Sequence, residues 1–300
     1  MPASQIWELE FKIPDMRLDA ERTFSASGHR LSLTALDANN CKGCLRFKLE
    51  YDKIDVEKAK AYGNRWVQRN LVDGYLAMKG TDLKPEMSDP VLLNEQEVGS
   101  LPKTRYVTTE IDAYLVGTLN VVDVEKSLAL IDKLRSDPNK RALERSLRWL
   151  RKASHSHQVV DTFIMLWIAF NAFYGTFDPQ KRGDRHAIKQ LINRFPSTEK
   201  IEEILVHHDP TVRTLASRGL MDWRGQRQRS HSEDLRKLLK MERKDARRIL
   251  QTIGLCLFVV RNDIFHGGMK PSHDPDFVRE CSELLKRVYR ESFCAYLDSP

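Results

Sequence analysis

Apolar and polar residues alternate with period two in three stretches of the first half of the chain. IWELEFKI places Trp7, Leu9, Phe11 and Ile13 on one face. LRFKLEY does the same with Leu45, Phe47, Leu49 and Tyr51, and VTTEIDAYL with Val107, Thr109, Ile111, Ala113 and Leu115. Such alternation predicts half-buried strands, because successive side chains of a strand leave on opposite faces. Between the second and third stretches, DVEKAKAYGNRWVQRNLVDGYLAMKG has helical character, with Gly80 near its stop. Strands with one long helix predict an antiparallel sheet covered on one side.

After about residue 120 the period changes to that of a helix. Asp137-Pro138 in RSDPNK ends one helix and can start the next, so the chain is expected to divide there. The fold class that follows is α+β: residues 1–135 as a mixed domain and 136–300 as an all-α bundle. In KRALERSLRWLRK, Leu143, Leu147 and Leu150 share one face, and Arg141, Arg145, Arg148 and Lys152 share another. VVDTFIMLWIAFNAFYG is apolar nearly all round, which predicts a central helix closed by Gly175. DRHAIKQLINRFP predicts a shorter helix stopped by Pro196, and MERKDARRILQTIGLCLFVVRNDIFHGG a long one. The last helix is expected from Asp274 as N-cap with Pro275 in the first turn, turning Phe277, Cys281, Leu284 and Val288 inward.

Composition narrows the function classes. The 300 residues are 41% hydrophobic and 30% charged, as in a globular chain with real cores. The net charge of +7 suits an anionic partner. Five scattered cysteines do not form a disulfide framework. MPASQIWELEFKIPD lacks the basic and apolar blocks of a signal peptide, and the apolar window from Phe163 is short for a membrane span and carries Asn171. The chain is therefore expected to be cytoplasmic, with no membrane partner. No Walker loop, G-x-G-x-x-G or G-x-S-x-G occurs.

The densest chemistry lies in FVVRNDIFHGG, where an apolar helix ends in Arg261, Asn262, Asp263 and His266 before two glycines. Five residues turn about 140° beyond a full helical turn, so Arg261 and His266 would not share a face of a regular helix. Gly267 and Gly268 permit the last turn to tighten or unwind and bring them together. A guanidinium fork suits a phosphate or phosphorane, an imidazole can take or give a proton, and an amide can both donate and accept. That set can cleave RNA without a metal, since RNA carries its own 2′-hydroxyl nucleophile.

RNDIFH, late in a helical region and with Asn262 directly after the arginine, resembles the R-x(4–6)-H hallmark of the HEPN superfamily. FIMLWIAFNAFYG is similar to the early core helix of ApeA-like HEPN proteins, with Asn171 in the polar place four residues after Trp167. The resemblance covers roughly residues 136–300. It implies a dimerising helical bundle with two facing motifs, and a metal-independent endoribonuclease of the toxin or antiviral-defence type. It gives Arg261 the scissile phosphate, His266 the proton transfer, Asn262 their positioning, and Asn171 and Asp263 supporting places. Some members only bind RNA or nucleotide, or act as dimerising scaffolds, and that is the alternative reading. Gly268 stands where the toxins paired with nucleotidyltransferases carry a tyrosine, so control by modification of that tyrosine is not implied. The N-terminal part is expected to sense, inhibit or recruit, with a protein or nucleic acid as trigger.

RNA is the expected partner, and two basic regions are candidates for holding it. One is the Arg141, Arg145, Arg148 and Lys152 stripe, whose plain alternative is a solvated helix face. The other is Arg224, Arg227 and Arg229 in WRGQRQRSHSEDL, expected as a mobile loop. CKGC at Cys41 and Cys44 has the spacing of half a zinc site, with His29 as the nearby extra ligand but no second half. It reads as two ordinary thiols in a hairpin between strands. HSH at 155–157 reads as a turn between helices, and His207 and His208 as a helix end. Cys256 reads as core. Neither metal nor cofactor is expected.

Overall fold

The computed structural model describes residues 5–26, 28–37, 39–49, 55–93, 117–224, 227–241, 245–266 and 274–299. The chain divides into two compact units, Met1–Ser136 and Asp137–Pro300, with the break inside the RSDPNK segment. The architecture is α+β: an antiparallel sheet first, then a helical C-terminal region.

In the first unit, β1 (Gln5–Ile13), β2 (Met16–Leu18), β3 (Arg22–Ala26), β4 (His29–Ala35) and β5 (Cys41–Leu49) precede the helical segment. That segment runs as α1 (Val56–Val67), a π turn over Gln68–Val72, and α2 (Asp73–Lys79). Short strands β6 (Glu86–Met87), β7 (Val91–Leu92) and β8 (Gly117–Leu119) and helix α3 (Val121–Ser136) complete it. The main sheet has the order β3-β4-β5-β1-β6, with β7 also on β1, and every pairing in it is antiparallel. A separate parallel pair joins β2 to β8.

The alternation in β1 is realised: Trp7, Leu9, Phe11 and Ile13 are buried and pack with Leu45, Phe47 and Leu49 of β5 in one core. Asp55 caps α1 by accepting from the Lys58 amide at 2.8 Å, and Gly80 ends α2 in the left-handed region at φ 74°. The third expected strand, 107–115, lies outside the described residues. CKGC departs from expectation. It lies within strand β5, in unbroken register with β1 and paired with β4 as one arm of their hairpin, and not in a turn between strands. Three residues along a strand put the Cys41 and Cys44 side chains on opposite faces, so the pair cannot chelate one ion. Both are buried, and burial pushes the Cys41 thiol up to about 12.

The second unit contains α4 (Lys140–Ser154), α5 (Val159–Tyr174), α6 (Asp184–Arg194), α7 (Thr198–His207) and α8 (Asp209–Ser217). A hairpin of β9 (Met221–Arg224) and β10 (Arg227–Ser230) follows, then α9 (His231–Leu239), α10 (Ala246–Phe265) and α11 (Pro275–Asp298). Helix α5 is the packing centre, with α4 and α11 laid on it. Its Phe173 meets Tyr289, Phe293 and Tyr296 of α11 edge-on, at centroid separations of 5.2–6.0 Å. The Ser146 hydroxyl of α4 donates to the Ala169 carbonyl at 2.7 Å and lies 2.8 Å from the Tyr289 hydroxyl, tying three helices together. Asp274 caps α11 by accepting from Phe277, and Phe277, Cys281, Leu284 and Val288 are buried as their spacing predicts.

Gly175 closes the helix as its C-cap, as expected, though it stays right-handed at φ −57° and the chain continues through a 3₁₀ turn, Gly175–Phe177. Two sequence expectations change here. The WRGQRQRS segment supplies the strands of a hairpin in a region expected to be all helix. The helix ending in the motif begins at Ala246, capped by Asp245, not at Met241. Val159–Phe177, at 19 residues, is also long and apolar enough by composition to cross a membrane, which the shorter window from Phe163 is not. In this fold Phe163, Leu166, Trp167, Phe170 and Phe173 of that stretch are buried against protein.

Candidate functional site

The motif stands at the end of a buried rod. From Ile249 to Val260 helix α10 is almost wholly enclosed, and exposure begins at Arg261. The Arg261 guanidinium donates from Nη1 to Asn262 Oδ1 at 2.8 Å and lies 4.7 Å above the Phe265 ring. Its Nε is buried without a hydrogen-bond partner. Asn262 thus holds the fork from one side and Phe265 from below, leaving donor capacity unused.

His266 is exposed and caps the helix at φ −97°, ψ 5°, its amide donating to the Asn262 carbonyl at 2.9 Å. The helix therefore runs regularly through Phe265 and does not unwind to join His266 to Arg261. Gly267 and Gly268 lie outside the described residues. No hydrogen bond links Arg261 to His266, and the helical spacing of about 140° sets them on different faces. His266 acts instead on Asp263: burial raises that carboxyl above its usual range, and the imidazole draws it partly back.

Behind Arg261, Trp167, Asn171 and Tyr174 form a stripe on α5 at spacings of four and three. Asn171 is half-buried there. Trp167 and Tyr174 are enclosed, yet neither the indole Nε1 nor the phenol hydroxyl has a hydrogen-bond partner. Burial pushes the Tyr174 hydroxyl far up, the nearby Asp184 carboxylate adds to this, and the Arg261 guanidinium opposes it. Arg261 Nε, the Trp167 indole and the Tyr174 hydroxyl thus gather where the ends of α5 and α10 meet the start of α6, with the hydroxyl close enough to Asp184 and Trp167 to feel both. Buried polar atoms cost free energy when unpaired, so they mark a place that a ligand can satisfy.

Beside it opens a cleft of about 410 Å³, lined by Arg182, Asp184, Arg185, His186, Lys189 and Phe258. Phe258 lies one turn before Arg261 on α10 and packs on Trp167, and the Arg185 guanidinium sits 4.9 Å above its ring. Arg185 is ion-paired with Asp222 of β9, and Asp222 in turn lies 3.3 Å from His231 Nε2. Burial would raise the Asp222 carboxyl, but Arg185 and then His231 hold it below its usual range. Sequence reasoning missed Arg185, His186, Asp184 and Tyr174. The one available signal was the polar start of DRHAIK beside an expected helix N-terminus. Nothing in the sequence joins Asp222 to His231, because the hairpin brings them together.

The basic stripe on α4 is where expected: Arg141, Arg145, Arg148 and Lys152 are all exposed. Lys152 lies 4.3 Å over the Trp149 ring, and no ion pair engages Arg141, Arg145 or Arg148 among the described residues. Of the second basic region, Arg224 and Arg227 are backbone register partners in the hairpin. Arg229 pairs with Asp234 at 2.8 Å and is not an unengaged loop cation. Among the described residues no group of three or more His, Cys, Asp or Glu is placed to hold a metal ion.

Comparison of the chain with protein-family models, with curated proteins and with solved structures returned no match.

Proposed function

We propose that the chain is a metal-independent endoribonuclease of the HEPN type, working as a dimer through its helical unit. The observation that carries the reading is RNDIFH at the exposed end of an otherwise enclosed helix, with Arg261 pinned by Asn262 and keeping a buried, unpartnered Nε. Arg261 and His266 of one copy stand on different faces, so a complete site draws its arginine and histidine from two copies facing one another. The 2′-oxygen forms a bond to phosphorus as the bond to the 5′-oxygen breaks. His266 takes the 2′-hydroxyl proton, and the leaving 5′-oxygen takes one from solvent. Arg261 stabilises the charge that builds on the phosphorane. The products are a 2′,3′-cyclic phosphate and a 5′-hydroxyl. The exposed α4 stripe supports binding of the RNA backbone. The N-terminal unit, which the resemblance does not cover, is the place for a trigger or inhibitor in this reading.

The test is cleavage of single-stranded RNA in excess EDTA. Arg261→Ala is expected to lower the rate by about 10²–10³-fold, and His266→Ala by about 10²–10⁴-fold. Undiminished cleavage by either variant overturns the assignment. Mixing the two inactive variants restores activity only where each site combines residues from two chains. The separation of Arg261 from His266 within one chain favours a second reading, an RNA-binding module without chemistry. Binding that survives both substitutions, with no cleavage, selects it.

A further inference from the structure

A second cleft, of about 330 Å³, opens where α6, α9 and α10 meet. Four cations line it, Lys189 of α6, Arg229 of β10, Lys237 of α9 and Arg248 of α10, against the single carboxylate of Asp234. All four are exposed. Arg229 is paired with Asp234 at 2.8 Å and Lys237 with Glu233 at 2.9 Å, whereas no ion pair engages Arg248 among the described residues. Separate elements thus turn positive side chains to one opening, which favours an anionic partner there. Among these cations lies an apolar surface. Leu238 and Leu255 line the cleft and are themselves mostly buried, and Met241 beside them is 51% exposed. A methionine so exposed is an adaptable contact that gains from being covered.

The walls favour a peptide over a nucleic acid. The apolar lining is aliphatic, and the one ring, His231, is fully enclosed, so no ring face is offered for a base to stack on. A phosphodiester brings only acceptors with its charge, and Asp234 repels it. A peptide brings a backbone N–H at every residue, and the Asp234 carboxylate has room to accept one beside its bond to Arg229. Gln251 donates its Nε2 to the Lys189 carbonyl at 3.5 Å, which leaves its side-chain oxygen to accept another. The Lys237–Glu233 pair is exposed and contributes little, so an incoming carboxylate can exchange for it at small cost. We infer that this cleft docks an acidic segment of a partner protein. An aliphatic anchor of that segment sits on Leu238, Leu255 and Met241, and its flanking Asp or Glu side chains meet Arg248 and Lys237. The cleft is separate from Arg261 and His266, and its fate leaves the nuclease reading untouched.

The test is fluorescence anisotropy of the full chain with labelled, capped heptapeptides Glu-Asp-Glu-X-Glu-Asp-Glu, in which X is Leu, Ile, Met or Val. At least one is expected to bind, and to bind more weakly as salt rises. Replacing X by Ser should weaken it about tenfold, and replacing its acids by Lys should abolish it; both controls leave the protein unchanged. On the protein side, Arg248→Glu combined with Lys237→Glu should weaken the acidic peptide by about tenfold or more, and Met241→Ser by about threefold to tenfold. All three side chains are exposed, so the Tm should not move. The competing arm is a 2′-O-methyl RNA heptamer, which has no 2′-hydroxyl to react. RNA binding that falls as far as the peptide's in the same double variant assigns the cleft to nucleic acid and overturns the proposal. So does the absence of binding by any of these peptides at millimolar concentration, or binding that is indifferent to X or to the double variant.

Discussion

Gly254 sits in α10 where that helix crosses α6. A Cβ placed there would lie 2.8 Å from Ile188 Cγ2 and 3.1 Å from Ile192 Cδ1. Carbon–carbon contact is most favourable at about 3.5–4.0 Å, so Gly254→Ala asks the two helices for about 0.4–1.2 Å of give. Ile188 and Ile192 are both fully buried. Ile188 is branched at Cβ, and its Cγ2 moves little without the backbone. Alanine in place of a helix-interior glycine otherwise stabilises by about 0.5–1 kcal/mol. Overpacking of a filled core costs about 1–3 kcal/mol. The expected net is a loss of about 1 kcal/mol, read as a Tm lowered by about 2–4 °C for a unit of this size. Thermal and chemical unfolding of Gly254→Ala, Ile188→Ala and the double variant measure it. Ile188→Ala should cost less in the Gly254→Ala background than in the parent, because each change makes room for the other. A Gly254→Ala variant that is more stable than the parent, or two substitutions that simply add, would refute the reasoning.

Ser146→Ala removes the hydroxyl that joins α4 to the Ala169 carbonyl and to Tyr289, and should cost about 1–3 kcal/mol in denaturant unfolding; unchanged stability would mean that the three-helix tie is idle. Stability should also depend on mild acid. Burial holds His231 below its ordinary value of 6.5, and burial together with His207 does the same for His208. The unfolded chain then takes up protons more readily, so stability is full above about pH 6.5 and falls as pH drops below it toward the folded values. Unfolding followed between about pH 8 and pH 5 should show a plateau and then a decline that is shallower in His231→Gln; a flat profile would count against the buried neutral imidazole.

Local pattern determined much of this protein. Period two in IWELEFKI and LRFKLEY specified strands and their inward faces, since a strand's side-chain geometry leaves one way to bury alternate residues. Period 3.6 specified the helices of the second unit, and capping chemistry placed Gly80 and Asp274 at helix ends. The R-N-x-x-x-H motif was legible as well, because its residues are neighbours in the chain. Local pattern misjudged CKGC, whose alternation was hidden by burial on both faces of β5, and WRGQRQRS, whose polar residues pair as a hairpin. Only the tertiary structure decided that α10 stays regular to Phe265 and parts Arg261 from His266. It alone brought Tyr174, Asp184 and Arg261 together, and Arg185, Asp222 and His231. These residues come from separate elements and share no period. What joins them is the packing of α5, α6, α9, α10 and the hairpin, and such packing depends on the whole core rather than on any stretch of sequence.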